Sequence, residues 1–382
     1  MNITYKQLED IAKVSAGGTP KRSETLYWKD GNIPWVKIKD IKNKYVSETE
    51  EYITNEGLKN SSAKRYPRGT ILYTIFATLG ECAILDIDAT TNQAIAGIIV
   101  TSDEVLTDYL YYYLESIKSK VISKGRGVAQ NNINLKILRN LTIPVPSIDI
   151  QKRVINIIKT NENILLKRQQ QIKALSILKQ SIFLDIFGDP FLNPYDWKAT
   201  TLKELADIIM GQSPPGTSYN TEQKGSPLLN GPTEFSDIYP KEVQWTTEPK
   251  RFSEEGDILF CVRGATAGRL NLSDKKYAIG RGLASIRPHK KEDENFIFLV
   301  LDYMYNHFQH TSDGSTFINI NKKTLENIPV FILPEGIKSK YNGIYNQIEL
   351  GLKASKNSLH KIEEMYESLI NKAFNGELFK KI

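Results

Sequence analysis

The sequence predicts a mixed α+β protein: two similar globular domains, each followed by a long helix, with the two helices pairing as a coiled coil that must be antiparallel if a pseudo-two-fold axis relates the copies. Three observations carry this expectation. The first is an internal repeat. Gly69 to Phe187 lies on Gly256 to Phe374 at an offset of 187, or 188 after a one-residue slip. Gly69-Thr-Ile-Leu72 matches Gly256-Asp-Ile-Leu259, and Ala77-Thr-Leu-Gly80 matches Ala265-Thr-Ala-Gly268. Asn132-Ile-Asn134 matches Asn319-Ile-Asn321, and Ser181 to Phe187 matches Ser368 to Phe374. So long a period means two copies of a whole domain, not a solenoid. The second observation is that each copy opens with short apolar runs punctuated by Gly and Pro, the pattern of strands and turns. The third is that each copy closes with a run of about forty residues carrying one apolar stripe, which spans about 60 Å as a helix.

Taken in order, residues 1–146 form the first domain. Its opening, Leu8-x-x-Ile-Ala to Gly17-x-Thr-Pro20, returns at Leu202-x-x-Leu-Ala to Gly211-x-Ser-Pro214. Thr70 to Phe76 and Ala94 to Val100 read as strands, and Asp108 to Ser123 as helix. Residues 147–188 form the first long helix. Pro144, Pro146 and a Ser or Asp cap start it, and Gly188-Asp-Pro190 stops it. Ile158, Leu165 and Ile172 recur every seven residues, and Leu175, Leu178 and Ile182 continue the stripe. Residues 189–334 form the second domain, with a strand over Asp257 to Val262 and a helix over Phe296 to His307. Residues 335–382 form the second long helix, which starts after Pro334 and ends at Asn375-Gly376. Its stripe is Ile344, Ile348, Leu352, Ser355, Leu359, Ile362, Tyr366, Leu369 and Ala373. Alternating spacings of three and four make coiled-coil seams. A one-sided stripe needs a partner, and each helix is the economical partner of the other.

Length and composition narrow the class. At 382 residues the chain has room for two or three domains. Apolar runs all fall short of the roughly 18 residues of a membrane span. The opening residues lack an apolar signal region, and Cys82 and Cys261 do not occupy equivalent places in the two copies. The expectation is therefore no structural disulfide and a reducing cytoplasmic location. A net charge of +6 hints at an anionic partner. However, residues 196–335 hold 16 Lys and Arg against 19 Asp and Glu, so the chain is not uniformly basic.

Catalytic constellations are lacking in the sequence. His307-x-x-His310 has no Cys or carboxylate to complete a metal cluster and no counterpart in the first copy, so surface or packing histidines are expected. Gly125-Arg-Gly127 and Gly280-Arg-Gly282 lack the third glycine of a dinucleotide loop. Asn193-Pro-Tyr195 is similar to the Asn/Asp-Pro-Pro-Tyr/Phe motif of amino-methyltransferases, but it lacks the second proline and any cofactor loop. It reads as the start of the second copy. A repeated chain without an active site is expected to be a binding protein.

The repeated blocks carry a family resemblance. Leu8-x-x-Ile-Ala-x-Val-x-Ala-Gly-Gly-Thr-Pro20, Ile33-Pro-Trp-Val-Lys-Ile-Lys-Asp40 and Gly69-Thr-Ile-Leu72 resemble a target-recognition domain. Gly127-Val-Ala-Gln-Asn-Asn-Ile-Asn134, then Leu141-x-Ile-Pro-Val-Pro146 and Gln151, resemble its close and the helix that follows. Leu202 to Pro215, Gly314-Ser-Thr-Phe-Ile-Asn-Ile-Asn321 and Ile328-Pro-Val330 repeat the pattern. The family is the DNA specificity subunit of type I restriction-modification systems. The second copy departs from the pattern, with Phe317-Ile318 in place of Gln130-Asn131 and Lys338 where the first helix has its glutamine.

The resemblance implies a non-catalytic subunit that reads a bipartite site on double-stranded DNA, one half per domain, with the helices setting the spacer. It implies two modification (methyltransferase) subunits as partners, using S-adenosylmethionine to methylate adenine. Two restriction subunits using ATP and Mg would translocate and cleave DNA. The chain itself would bind no cofactor or metal. The rival readings are a stand-alone DNA methyltransferase and a protein-binding scaffold.

Phosphate contacts position a protein on DNA, and base-edge contacts read sequence. Lys21, Arg22, Lys37, Lys39 and Lys42 are the phosphate candidates of the first domain. Arg126, Gln130, Asn131 and Asn132 form a polar loop suited to base edges, because Arg pairs with guanine and Asn or Gln with adenine. Arg263, Arg269, Arg281, Ser315 and Thr316 are the candidates of the second domain. Asn132, Asn134, Asn319 and Asn321 recur in both copies, which favours a shared task such as helix capping. The helix–helix and partner-binding candidates are Ile158, Leu165, Ile172, Leu175, Ile182, Ile348, Leu359, Ile362 and Leu369. Between Gln151 and Gln180 the first helix carries Lys152, Arg153, Lys159, Lys167, Arg168, Lys173 and Lys179 against Glu162 alone. That surface is a solvated flank, a contact to spacer DNA, or a dock for an acidic partner.

Overall fold

A computed structural model describes residues 3–125, 133–264, 266–310, 320–375 and 377, with the backbone alone at 123–125 and 306–310. The chain divides into two compact units. One comprises residues 1–169 and 357–382, and the other residues 170–356.

In the first unit a five-stranded sheet runs in the order Ala12–Ala16, Ile95–Val100, Ile71–Thr74, Cys82–Leu85 and Tyr45–Val46. A four-stranded sheet places Ile33–Val36 and Ala89–Thr91 at its centre, paired in parallel. Thr4–Gln7 pairs with Thr142–Val145, so the first strand meets the segment that leads into the long helix. Leu110, Leu114, Tyr73, Ile84 and Ile98 fill the core beneath the helix Thr107–Ser116.

The second unit repeats this plan. Ala206–Met210, Leu283–Pro288, Ile258–Cys261 and Leu270–Leu272 form the counterpart of the larger sheet. Ser226–Leu229 pairs in parallel with Tyr277–Ile279. Lys198–Thr201 pairs with Pro329–Ile332. Equivalent hydrogen bonds locate the slip in the repeat. Gly80 N–H donates to Thr74 O (2.9 Å), and Gly268 N–H donates to Cys261 O (2.8 Å). The extra residue of the second copy therefore lies within the turn after Ile258–Cys261. Cys82 and Cys261 are buried and free.

The two long helices run over Ile148–Phe187 and Glu335–Phe374. In the first unit, Val154, Ile155 and Ile158 of the first helix share a core with Ala373 and Phe374 of the second. In the second unit, Leu175 lies against Gly351, Lys179 pairs with Glu349, and Phe187 packs on Tyr341. Partners descend as the first index rises, so the helices are antiparallel. Ile348, Leu352 and Ser355 are buried, while Leu165, Ile172, Leu175, Ile182, Ile344, Leu359, Ile362, Tyr366 and Leu369 are half-buried. Leu178 departs from the expected stripe. It is 44% exposed, because Phe183 and Phe187, at 1% each, take over the inward face at this end.

Both helix starts are locked by buried polar groups. Gln151 Nε2 donates to Glu104 O (2.6 Å) and Pro146 O (2.9 Å), and its Oε1 accepts from Leu106 N–H (2.9 Å). At the equivalent place Lys338 Nζ donates to Asp293 (2.8 Å) and Glu335 (3.1 Å). The departure noted in the sequence thus exchanges an amide anchor for an ionic one.

Candidate nucleic-acid interface

Several turns meet at one edge of the first domain. Gly17 N–H donates to Ile95 O (3.0 Å), Gly18 N–H to Thr91 O (2.9 Å), Asn92 N–H to Val36 O (3.0 Å), and Ile75 N–H to Ala94 O (2.8 Å). Ile133, which follows residues 126–132, donates to Ile75 O (3.0 Å). Glycine is required at Gly17, because a Cβ there would lie 2.0 Å from Thr91 Oγ1. Gly211, where a Cβ would lie 2.2 Å from Gly280 O, holds the same place in the second domain. There Gly211, Gln212, Gly280, Val262 and Ile320 repeat the bonding, to Leu283 O, Ile279 O, Leu229 O, Gly282 O and Val262 O.

One backbone frame therefore presents two sets of side chains. In the first domain Lys37 pairs with Glu51, and Thr19 Oγ1 donates to Gln93. In the second, Asn230 and Gln244 stand where Lys37 and Glu51 stand, joined by an amide hydrogen bond of 2.8 Å. Tyr219 OH donates to Asn230 Oδ1 at 3.3 Å. Arg281 stands where Gln93 stands, and its backbone N–H donates to Ser213 Oγ (3.1 Å), the counterpart of Thr19.

The basic candidates of the first domain are largely held by carboxylates. Arg22 lies 3.8 Å above the Trp28 ring and 4.7 Å from the Trp35 ring, and reaches Glu51 at 2.5 Å. Lys37 also lies 3.8 Å from Glu50, Lys39 pairs with Glu50, and Lys21 lies 2.9 Å from Glu24. Burial alone would push the Glu51 carboxyl up, but hydrogen bonds from Lys37 and Arg22 outweigh it and hold the group below its usual range. Lys42 is exposed and forms no ion pair with a described residue. In the second domain Arg263, Arg269 and Arg281 are exposed and free of ion pairs among the described residues. Arg269 donates to Pro232 O (3.3 Å). Arg126, Gln130, Asn131, Asn132, Asn319, Ser315 and Thr316 lie outside the described residues, as do the side chains of His307 and His310. Asn134 and Asn321 accept backbone N–H bonds from Ile137 (2.8 Å) and Thr324 (2.9 Å), as helix caps.

Asn193 is also a structural residue. Its side chain brackets Trp197 through two hydrogen bonds of 2.9 Å, and Trp197 Nε1 donates to Phe187 O (2.9 Å). Among the described residues no group of three His, Cys, Asp or Glu is placed to hold a metal, and no helix is long and apolar enough to cross a membrane.

Thr19, Gln93, Glu51, Asn230 and Gln244 escaped the sequence reading. The signal for them was present, since Pro34 and Pro227 head matching strands. Carrying that offset forward pairs Lys37 with Asn230 and Glu51 with Gln244.

The fold and this edge define a doubled recognition protein with one frame used twice. The family model for the type I restriction modification DNA specificity domain matches residues 2–175 and 194–339, and the chain belongs to this family, whose role is non-catalytic DNA recognition. The putative type I restriction enzyme MjaX specificity subunit of Methanocaldococcus jannaschii is 32% identical over 71% of this chain and 68% of its own length. The MjaIX specificity subunit of the same organism is 25% identical over 98% of this chain and 93% of its own length. A solved chain reported for "complex assembly and conformational transition of the type I R-M system" shares the fold, with a TM-score of 0.70, 22% identity and 98% of each chain covered.

Proposed function

We propose that each domain reads one half of a split DNA site through its edge of turns, and that the paired helices fix the gap between the halves. The observation that carries this reading is the shared frame with unlike side chains: Lys37, Glu51 and Gln93 in one copy, Asn230, Gln244 and Arg281 in the other. A structural role would favour the same residues in both copies, whereas reading two sequences requires different ones. Asn230 and Gln244 offer the amide pairs suited to adenine, and Arg281 and Arg263 the forks suited to guanine. Lys21, Arg22, Lys37 and Lys39 would reach phosphate only by exchanging carboxylate partners, so Lys42 is the readier phosphate contact.

The chain recruits two modification subunits, which methylate adenine with S-adenosylmethionine, and two restriction subunits, which use ATP and Mg. It operates in the cytoplasm and binds no cofactor of its own. The test is the methylation pattern of a host expressing the chain with its modification subunit. Arg281→Ala should relax one half of the motif, at about 1–3 kcal/mol of discrimination, and leave the other half intact. Equal change in both halves, or none in either, would overturn the assignment.

A further inference from the structure

The first unit contains a cleft of about 380 Å³ between the helix Thr107–Ser116 and the two long helices. Tyr111, Tyr112, Tyr366, Glu115, Glu162 and Glu367 line it, and among the described residues no lysine or arginine does. Tyr111 is 8% exposed. Glu162 accepts from the hydroxyls of Tyr112 (2.7 Å) and Tyr366 (3.3 Å), and Glu115 accepts from Cys82 N–H (3.1 Å). The nearby Lys118 is held by Glu81 at 2.6 Å.

The second unit shows what this arrangement encloses. At an offset of 187, Glu162 becomes Glu349, Glu115 becomes Asp302, and Tyr366 becomes Lys179. Lys179 Nζ lies 2.8 Å from Glu349 and 5.2 Å from the Tyr345 ring centre, and its charge acts on the half-buried Asp302. One copy thus supplies its own cation to the acid pair. The other places a tyrosine there and leaves Glu162 and Glu115 without an ion pair among the described residues, while Lys44 Nζ lies 4.9 Å from the Tyr111 ring centre and 4.0 Å from that of Tyr112.

We propose that this cleft receives an arginine side chain of the methyltransferase subunit. The partner's identity rests on the function proposed above. A planar guanidinium can stack flat on tyrosine while its fixed fork of N–H groups reaches two carboxylates, a planar geometry that the point charge of an ammonium lacks. Leu166, 51% exposed and one helical turn beyond Glu162 on the same face, provides the apolar contact of a protein surface rather than of a small ligand.

The test titrates the methyltransferase subunit onto the full chain. Glu162→Gln should weaken binding about thirtyfold or more, as expected when one partner of an enclosed charge pair is removed. Tyr366→Lys, which copies the arrangement of the second unit, should weaken binding similarly while keeping the melting temperature. If Glu162→Gln melts early, Tyr366→Lys carries the test alone. Wild-type affinity in the folded Tyr366→Lys variant would overturn the assignment, as would binding of agmatine to the chain alone without any effect of the variants on subunit affinity. Failure of the wild-type chain to bind the subunit would overturn both this assignment and the assembly reading. Normal wild-type binding with unaltered variants would overturn the cleft alone.

Discussion

Asp257 is 1% exposed and is held by Ser285 (2.5 Å) and by two bonds from Arg287 (2.8 and 2.9 Å). Its counterpart in the first domain is Thr70, and that of Arg287 is Ile99. Breaking a buried pair leaves one charge without compensation, whereas replacing both partners is close to neutral. Arg287→Met should therefore destabilise the protein by about 3 kcal/mol in denaturant unfolding, and Asp257→Thr with Arg287→Ile should recover most of the loss. A double variant no better than the single would contradict this. Asp108 contributes a pH dependence. Its burial would raise the carboxyl pKa, but the hydrogen bond from Lys159 (2.7 Å) and the ion pair with Lys44 (2.8 Å) lower it below its ordinary 3.8. A depressed carboxylate gives stability that is present above its unfolded pKa and lost as pH falls through the folded value. Asp108→Asn should lower stability at neutral pH and flatten the loss below about pH 4, as read from unfolding midpoints across pH.

At the scale of elements, each long helix ends in an aromatic plug. Phe187 packs on Phe183, Phe296 and Tyr341 with ring centres 4.6 to 5.3 Å apart, and Phe374 packs on Tyr109 and Tyr113 at 5.4 Å. Phe187→Ala should cost about 3–5 kcal/mol, measured by chemical unfolding. A loss under 1 kcal/mol would show that the plug does not hold the helix end. The long helices were legible in the sequence because a stripe of period 3.5 over forty residues admits few alternatives. Leu178 was misplaced because seven-residue spacing cannot show where Phe183 and Phe187 turn the buried face. The caps at Asn134 and Asn321 were legible because both copies keep them. The pairs Lys37–Glu51 and Asn230–Gln244 were harder to see, since strand pairing brings together residues more than a dozen positions apart and leaves no local signature. Neither the neutralisation of Arg22 by Glu51 nor its stacking on Trp28 has a periodic signal in the sequence.

For the whole molecule, the repeat separates what is shared from what differs. Turns, caps, strand register and helix seams are common to both units and build the frame. Anchors such as Gln151 and Lys338 differ in chemistry but not in task. The edge residues differ in chemistry at equivalent places, and on the reading proposed here they carry sequence recognition, with the helices as ruler. The direct measurement is methylome sequencing of a host expressing the modification subunit with either the wild-type chain or a chain carrying four extra residues after Lys167. Four residues lengthen a helix by about 6 Å. A split adenine motif is expected in both hosts, with both half-motifs unchanged and only the gap altered by the insertion. A continuous motif, or half-motifs that change with the insertion, would contradict it.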